Sequence, residues 1–205
     1  MKEDDTMDFI LSIQDGCLRR NNRTLLSDLN VDIRRGCVNY VLGENGTGKS
    51  LLFDIISGIY PLSEGALHSN IDHQEIAYMP QDPYVPYTLT VKELVDYYVL
   101  LMTGRSAKDM VLNLHPAVYQ LLDKAGDTRA SKCSVGETKL LIASMLFTLN
   151  KAKLFVLDEP TSGLSITNRR VFKSIVEDKV RQGKTIVVST HIEEDILHDS
   201  HIIRL

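Results

Sequence analysis

The 205-residue chain lacks any apolar run near the roughly 20 residues that a helix needs to cross a bilayer. Its three cysteines are an odd number without the paired spacing of a metal site, which indicates free thiols in a reducing compartment. Internal repeats, low-complexity tracts and linkers are absent as well. These absences predict one cytoplasmic domain, to whose cysteines we assign no chemistry.

The chain also lacks an excess of positive charge. Its 27 Asp and Glu outweigh its 23 Lys and Arg, which leaves a net charge of −4. Because nucleic-acid binding depends on neutralising phosphates, this balance predicts no nucleic-acid partner. Residues 1–5 are acidic where a secretion signal would be basic and then apolar. We therefore expect the chain to reach a membrane only through a partner protein.

One glycine-rich stretch points to phosphate chemistry. Residues 43–50 read Gly-Glu-Asn-Gly-Thr-Gly-Lys-Ser and match the glycine-lysine-serine phosphate-binding loop at every required position. In such a loop the backbone N–H groups and the following helix N-terminus face an anion. We expect Lys49 to reach the β and γ phosphates of a nucleotide and Ser50 to offer its hydroxyl to Mg²⁺. The predicted nucleotide contacts are Gly43, Glu44, Asn45, Gly46, Thr47, Gly48, Lys49, Ser50 and Leu51.

The residues around this loop support the prediction. Val38 to Leu42 reads as a mostly apolar strand that enters the loop. Apolar residues then recur at helical spacing: Leu51, Leu52, Ile55, Ile56 and Ile59. Strand, loop and helix in this order favour nucleotide binding over the alternative, a chance glycine-rich turn that caps a helix.

Two carboxylates follow an unbroken apolar run. The run, Leu154 to Leu157, is typical of a parallel strand covered on both faces, and Asp158 and Glu159 come directly after it. Ligands of open α/β sheets bind at the carboxyl ends of the strands. We expect Asp158 to hold Mg²⁺ through water and Glu159 to polarise an attacking water as general base. The alternative, a solvated turn, is disfavoured by the preceding loop and strand.

The remaining patterns predict an α/β fold. Alternation at Phe9, Leu11 and Ile13 indicates an N-terminal β portion, and apolar runs at 76–78 and 185–189 indicate further strands. A strand, a crossover helix and a parallel strand form the unit of a doubly wound sheet.

The middle of the chain has a different character. Helical spacing at Val91, Leu94, Val95, Tyr98 and Leu101, and again around Val118, Leu121 and Leu122, indicates an inserted helical segment. We predict a core made of residues 1–83 and 138–205, a helical insertion at 84–137, and an edge strand at 202–205.

Five sequence elements, in order, resemble the ATP-binding cassette (ABC) ATPase family over nearly the whole chain. They are the loop 43–50, Gln81, Ser134-Val135-Gly136-Glu137, the stretch Leu157 to Leu164, and His191. The resemblance implies a P-loop NTPase fold, with a mostly parallel central sheet flanked by helices, an N-terminal antiparallel β portion and a helical insertion. It also implies ATP and Mg²⁺ as cofactors.

The resemblance further implies a dimer and a role for each element. Each ATP would lie between the phosphate-binding loop of one subunit and the signature segment, residues 134–137, of the other. Gln81 matches the residue that contacts Mg²⁺ and senses the membrane partner. His191 matches the residue that contacts the γ-phosphate, so Lys49, Glu159 and His191 are the expected catalytic residues. A homodimer is favoured over a heterodimer.

Three positions depart from the family pattern. Val135 replaces the first glycine of the signature, and it is strained if its φ is positive but tolerable at an ordinary helix start. Ser134 and Glu137 also fit a capping box, which is compatible with the binding role. Ser165 stands where the family has an aspartate, which affects contacts between the two composite sites. In place of the aromatic that stacks on adenine, Arg19 or Arg20 could stack on the base.

These features predict the ATPase subunit of a membrane transporter with a separately encoded permease, peripheral on the inner face of the cell membrane. The resemblance implies that the permease docks near Gln81 to Thr90, in a groove lined by Pro83, Tyr84, Val85, Tyr87 and the helix that begins at Thr90. For these side chains, packing of the insertion against the core is an open alternative. The compact chain, which ends soon after His191, resembles small bacterial exporter ATPases, so we expect export.

Two other functions remain as alternatives. The first is a soluble ABC-type ATPase that acts on ribosomes or DNA, although the chain has neither a second cassette nor a long coiled coil. The second is an unrelated P-loop kinase, which would not explain residues 134–137 or His191. The substrate is not readable from this chain, because in this family the membrane subunits select it.

Overall fold

A computed structural model describes residues 8–109 and 113–205. The acidic residues 1–5 and residues 110–112 of the predicted insertion lie outside this description. The described strands are β1 Phe9–Arg20, β2 Arg23–Arg34, β3 Val38–Leu42, β4 Glu64–Ser69, β5 Ile76–Met79, β6 Leu154–Leu157, β7 Thr185–Ser189 and β8 His201–Arg204. The α-helices are α1 Lys49–Ile56, α2 Val91–Thr103, α3 Pro116–Ala125, α4 Val135–Leu146 and α5 Ile166–Arg181. Short 3₁₀ helices are His73–Glu75, Ala107–Asp109, Ala130–Lys132 and Glu193–Asp195.

The central sheet has five parallel strands in the order β5-β6-β7-β3-β8. Every residue of β6 and β7 is buried, as the unbroken apolar runs predict. Because β6, β7 and β3 are neighbours and parallel, the residues that follow them meet at one edge of the sheet. The structure confirms the predicted α/β fold with its mostly parallel sheet, and β8 is an edge strand.

A second sheet is antiparallel and has the order β2-β1-β4. Asn21 and Asn22 have positive φ values of 49° and 59° and form the tight turn between β1 and β2. An irregularity in the pairing near Phe9 places both Ile10 and Leu11 in the core, so the alternation in β1 is not strict. Sequence patterns did not predict β4, which forms by pairing with β1.

The middle segment contains α2 and α3. A capping box holds the start of α2, in which Thr90 Oγ1 accepts from the N–H of Glu93 and the Glu93 side chain accepts from the N–H of Thr90. Two residues of the helical patterns are exposed, however. Leu101 is 68% exposed on α2, and Ile59 is 52% exposed because α1 ends at Ile56. The domain division at 84–137 stays a prediction.

Two apolar clusters cover the two faces of the central sheet. Phe155 and Leu157 of β6 pack with α2, α4 and α5. Leu154 and Val156 pack on the other face with α1 and the antiparallel sheet. The alternation of side chains along each strand accounts for this division. In the described ranges, no helix combines the length and the apolar character that a membrane span requires.

Candidate functional site

The glycine-rich loop joins β3 to α1 and leaves the start of α1 open. The N-cap, Gly48, has φ 100° and offers no side-chain cap. The first hydrogen bond of α1 runs from the Leu52 N–H to the Gly48 carbonyl. The N–H groups of Lys49, Ser50 and Leu51 therefore have no partner within the helix. A Cβ on Gly48 would lie 2.3 Å from Leu26 Cδ2, in a backbone conformation that other residues rarely adopt. These open N–H groups suit an anion.

Lys49 is buried beneath this loop. Its ammonium donates to the carbonyls of Gly43 and Glu44, both at 2.8 Å. Thr47 Oγ1 also donates to the Glu44 carbonyl, at 3.0 Å. Because an ammonium has three donor hydrogens, one remains for an anion in the loop.

A cleft of about 440 Å³ opens beside the loop, at the carboxyl ends of the parallel strands. It is lined by Asn45, Gly46, Gly48, Lys49, Ser50, Leu51, Gln81, Asp158, Glu159 and His191. All ten belong to the residues that the sequence predicts to bind nucleotide or metal or to act in catalysis. Residues more than a hundred positions apart in the chain therefore meet in one place.

Asp158 is buried at the base of the cleft. Its Oδ1 accepts a hydrogen bond from the hydroxyl of Ser189 at 2.5 Å. Its Oδ2 is also buried and has no hydrogen-bond partner among the described residues. A buried carboxylate oxygen without a partner is uncommon and suits an ion or an ordered water. With the Ser50 hydroxyl and the Gln81 amide oxygen in the same lining, the donor set consists of the hard oxygens that Mg²⁺ prefers.

Glu159 presents its carboxylate to the same cleft. Gln81 Nε2 lies 3.5 Å from Glu159 Oε2, and His191 Nδ1 lies 3.7 Å from Glu159 Oε1. The Glu159 side chain is 11% exposed and the His191 side chain is 56% exposed. The arrangement thus places a carboxylate, an amide and an imidazole around one opening, where a water could be held and deprotonated.

The backbone of Glu159 is held by two residues that sequence patterns did not single out. Its φ is +44°, in the left-handed region. The N–H of Glu159 donates to Ser189 Oγ at 2.8 Å, and its carbonyl accepts from the buried ammonium of Lys139 at 3.3 Å. Two buried parallel strands were the available signal, because their pairing places Leu157 beside Val188 and makes Asp158 and Ser189 the next positions.

The predicted signature segment, residues 134–137, lies outside the described cleft. Ser134 is the N-cap of α4, and its Oγ accepts from the N–H of Glu137 at 3.1 Å. The Glu137 carboxylate accepts from the N–H of Ser134 at 3.0 Å, which completes the capping box. Val135 is the first residue of α4, lacks a positive φ and is 67% exposed. The backbone therefore tolerates valine at this position.

The structure also describes the positions of the two other departures from the family pattern. Ser165 is the N-cap of α5 and accepts from the N–H of Asn168 at 3.2 Å, a role that serine fills well. Arg19 pairs with Glu64 at 2.6 Å, and the Arg20 guanidinium lies 4.0 Å from the centroid of the Tyr60 ring. Neither arginine lines the described cleft, so stacking on adenine stays a prediction.

Comparison with known proteins identifies the family. Residues 26–162 match the model of the family described as ABC transporter. The chain is 32% identical over 179 residues to Protein McbF of Escherichia coli, covering 85% of this chain and 72% of McbF. It is 28% identical over 192 residues to the cytochrome c biogenesis ATP-binding export protein CcmA of Reclinomonas americana, covering 90% of this chain and 86% of CcmA.

Solved structures share the fold. The chain superposes on a structure described as the ATP binding subunit of an ABC transporter with a TM-score of 0.76, covering 89% of this chain and 80% of that structure at 23% identity. At this identity the likeness supports the fold alone, and the family follows from the sequence matches. The chain belongs to the ABC transporter family as an ATP-binding cassette protein.

Proposed function

We propose that the chain binds and hydrolyses MgATP, dimerises on it, and powers a separate membrane-embedded transporter subunit. One observation carries the proposal. The cleft joins an open helix N-terminus with two strand-end carboxylates, an amide and an imidazole. An open N-terminus binds phosphate, and the polar groups opposite it are those that a hydrolytic step needs.

The phosphate-binding loop supplies the binding energy for ATP. The N–H groups of Lys49, Ser50 and Leu51 and the ammonium of Lys49 would surround the terminal phosphates. The Ser50 hydroxyl, the Gln81 amide oxygen and Asp158, through water, would hold Mg²⁺. When bound, Mg²⁺ neutralises charge that develops on the phosphates. Within the loop, the carbonyls of Gly43 and Glu44 accept from the Lys49 ammonium, and the Thr47 hydroxyl donates to the Glu44 carbonyl. These bonds hold the loop and its lysine in place.

Glu159 is the proposed general base. Its carboxylate is largely enclosed and stands next to Gln81 and His191. A carboxylate in this position accepts a proton from an attacking water that Gln81 helps to orient. His191 is exposed enough to reach a γ-phosphate at the mouth of the cleft and to stabilise charge there.

A second copy of this chain would complete each site. The start of α4 carries an exposed Val135 and the N–H groups of a helix N-terminus, which can hold a γ-phosphate across a dimer interface. Because residues 134–137 lie outside the described cleft of their own subunit, a dimer gives them a binding role. A homodimer remains favoured over a heterodimer.

The segment after Gln81 is the proposed docking site of the permease. Tyr84 and Tyr87 are 70% and 76% exposed, whereas packing against the core would bury them. Next to them, Asp82, Pro83 and Val85 line a cleft of about 260 Å³. Docking here would place the chain on the inner face of a membrane. Export stays a prediction, and the export function in the name of CcmA, at 28% identity, does not decide it.

The test compares three variants in an ATPase assay. We expect Glu159→Gln to keep ATP affinity and to slow hydrolysis at least about a hundredfold, since it removes the general base. It should also trap a dimer with MgATP, detectable by size-exclusion chromatography with light scattering. Lys49→Ala should lose ATP affinity. Glu177→Gln is the matched control, because its carboxylate lies on α5, outside the cleft lining, and pairs with Arg181 at the surface.

An unchanged hydrolysis rate in Glu159→Gln would remove Glu159 as the base, and full activity in Lys49→Ala would remove the site. Purification from native membranes tests the transporter role. An integral-membrane partner supports it, whereas co-purifying ribosomes would favour the soluble ATPase.

A further inference from the structure

Ser189 lies opposite Asp158 in the central sheet and is fully buried. It is the last residue of β7, and the pairing of Leu157 with Val188 brings it level with Asp158. Its side chain is absent from the cleft lining, so it does not contact a ligand there directly. Any influence on the site must pass through the residues that its hydroxyl bonds.

The Ser189 hydroxyl makes two hydrogen bonds, one with Asp158 and one with Glu159. It donates to Asp158 Oδ1 at 2.5 Å and accepts from the N–H of Glu159 at 2.8 Å. A hydroxyl has one hydrogen, and it is committed to Asp158. The carboxylate of Asp158 is thereby fixed in a rotation that leaves Oδ2 without a hydrogen-bond partner in the described part of the chain.

The bond to Glu159 acts on a backbone that needs support. A non-glycine residue with φ +44° carries a conformational cost and persists only where its surroundings determine it. Ser189 holds the N–H of this residue and Lys139 holds its carbonyl. The direction of the Glu159 side chain toward Gln81 and His191 follows from this backbone conformation.

We propose that Ser189 is a positioning residue that orients Asp158 for its metal and Glu159 for its water at the same time. The inference rests on the proposed ATP hydrolysis and adds a residue to it. Thr could replace Ser189, since it keeps the hydroxyl and suits a strand, whereas Ala and Val could not.

The test measures Ser189→Ala, Ser189→Thr and a control, Ser144→Ala. Ser144 is a buried serine on α4 whose hydroxyl donates to the carbonyl of Leu140, and it does not line the cleft. Loss of a residue that orients a metal ligand costs about 10- to 100-fold in affinity or activity. We expect kcat of Ser189→Ala to fall by about that factor, while KM for ATP rises by less than about threefold, the part that weaker Mg²⁺-dependent binding accounts for. Ser189→Thr should recover most of kcat.

A binding measurement provides a second readout that does not depend on turnover. Calorimetric titration with ATP, in Mg²⁺ and in EDTA, gives the factor by which Mg²⁺ strengthens ATP binding. We expect this factor to fall in Ser189→Ala and to be unchanged in Ser144→Ala. If Ser189→Ala does not fold, Ser189→Val compared with Ser189→Thr answers the same question, since the two side chains have the same shape.

The outcomes separate the two proposals. Equal kcat and an equal Mg²⁺ factor in Ser189→Ala and Ser144→Ala would overturn the role of Ser189 while leaving ATP hydrolysis intact. A wild-type protein without ATPase activity would refute the proposed function, and the Mg²⁺ factor would still decide whether Ser189 orients Asp158.

Discussion

Gly136 offers the sharpest test of how the start of α4 is packed. It is the second residue of α4, and a Cβ built on it would lie 2.3 Å from the carbonyl oxygen of Gly163. The same Cβ would lie 2.8 Å from the carbonyl carbon of Gly163 and 2.9 Å from Leu164 Cα. All three are backbone atoms, so no side-chain rotation relieves the clash. In Gly136→Ala, α4 and the 163–164 segment must separate by about 1 Å.

The cost follows from that displacement. Forcing an extra carbon into a packed contact costs about 1–3 kcal/mol, and a clash with three backbone atoms lies in the upper part of that range, at about 2–3 kcal/mol. The higher helix propensity of alanine returns about 1 kcal/mol, which leaves a net loss of about 1–2 kcal/mol. For a chain of this length, each kcal/mol shifts the melting temperature by about 2–4 °C. We therefore expect the melting temperature of nucleotide-free Gly136→Ala to fall by about 2–8 °C.

Thermal unfolding followed by circular dichroism measures this shift. Val135→Ala is the matched control, because Val135 is the neighbouring residue and is largely exposed, so its melting temperature should stay within about 1 °C of wild type. A Gly136→Ala variant that melts at or above the wild-type temperature would refute the tight contact between α4 and Gly163.

Two further predictions concern a buried asparagine and the exposed start of α4. Asn39 is fully buried and bonds both backbone groups of Arg34, at 2.8 and 2.9 Å, so Asn39→Ala should lower the free energy of unfolding in urea by about 1–3 kcal/mol. The exposed Asn150→Ala is its control, and an equal loss in both variants would contradict the argument. Val135→Cys should react readily with a maleimide, because this position is exposed. In the Glu159→Gln background, MgATP should slow that reaction at least about tenfold, because saturating ligand drives dimerisation. Mass spectrometry measures the labelling. A rate that MgATP leaves unchanged would argue against a dimer that covers α4.

Local patterns predicted the elements that are buried on both faces. The apolar runs of β6 and β7 are long enough to identify, and their covered environment matches the prediction. Local patterns failed for a strand that forms only beside a neighbouring strand, and at the end of one helix. β4 has one partly buried residue among six and forms only because β1 lies beside it. Ile59 continued the spacing of α1 but lies beyond the end of that helix.

The sequence alone determined the family and predicted the chemistry of the site. A phosphate-binding loop depends on glycines, a lysine and a serine at fixed local spacing, and Asp158 and Glu159 directly follow a strand, so both are readable along the chain. Only the tertiary structure decided how these groups are oriented. Ser189 and Lys139 hold Glu159 because β7 lies beside β6 and α4 packs near its end. These contacts depend on strand order and helix packing, which bring together residues that no local pattern relates.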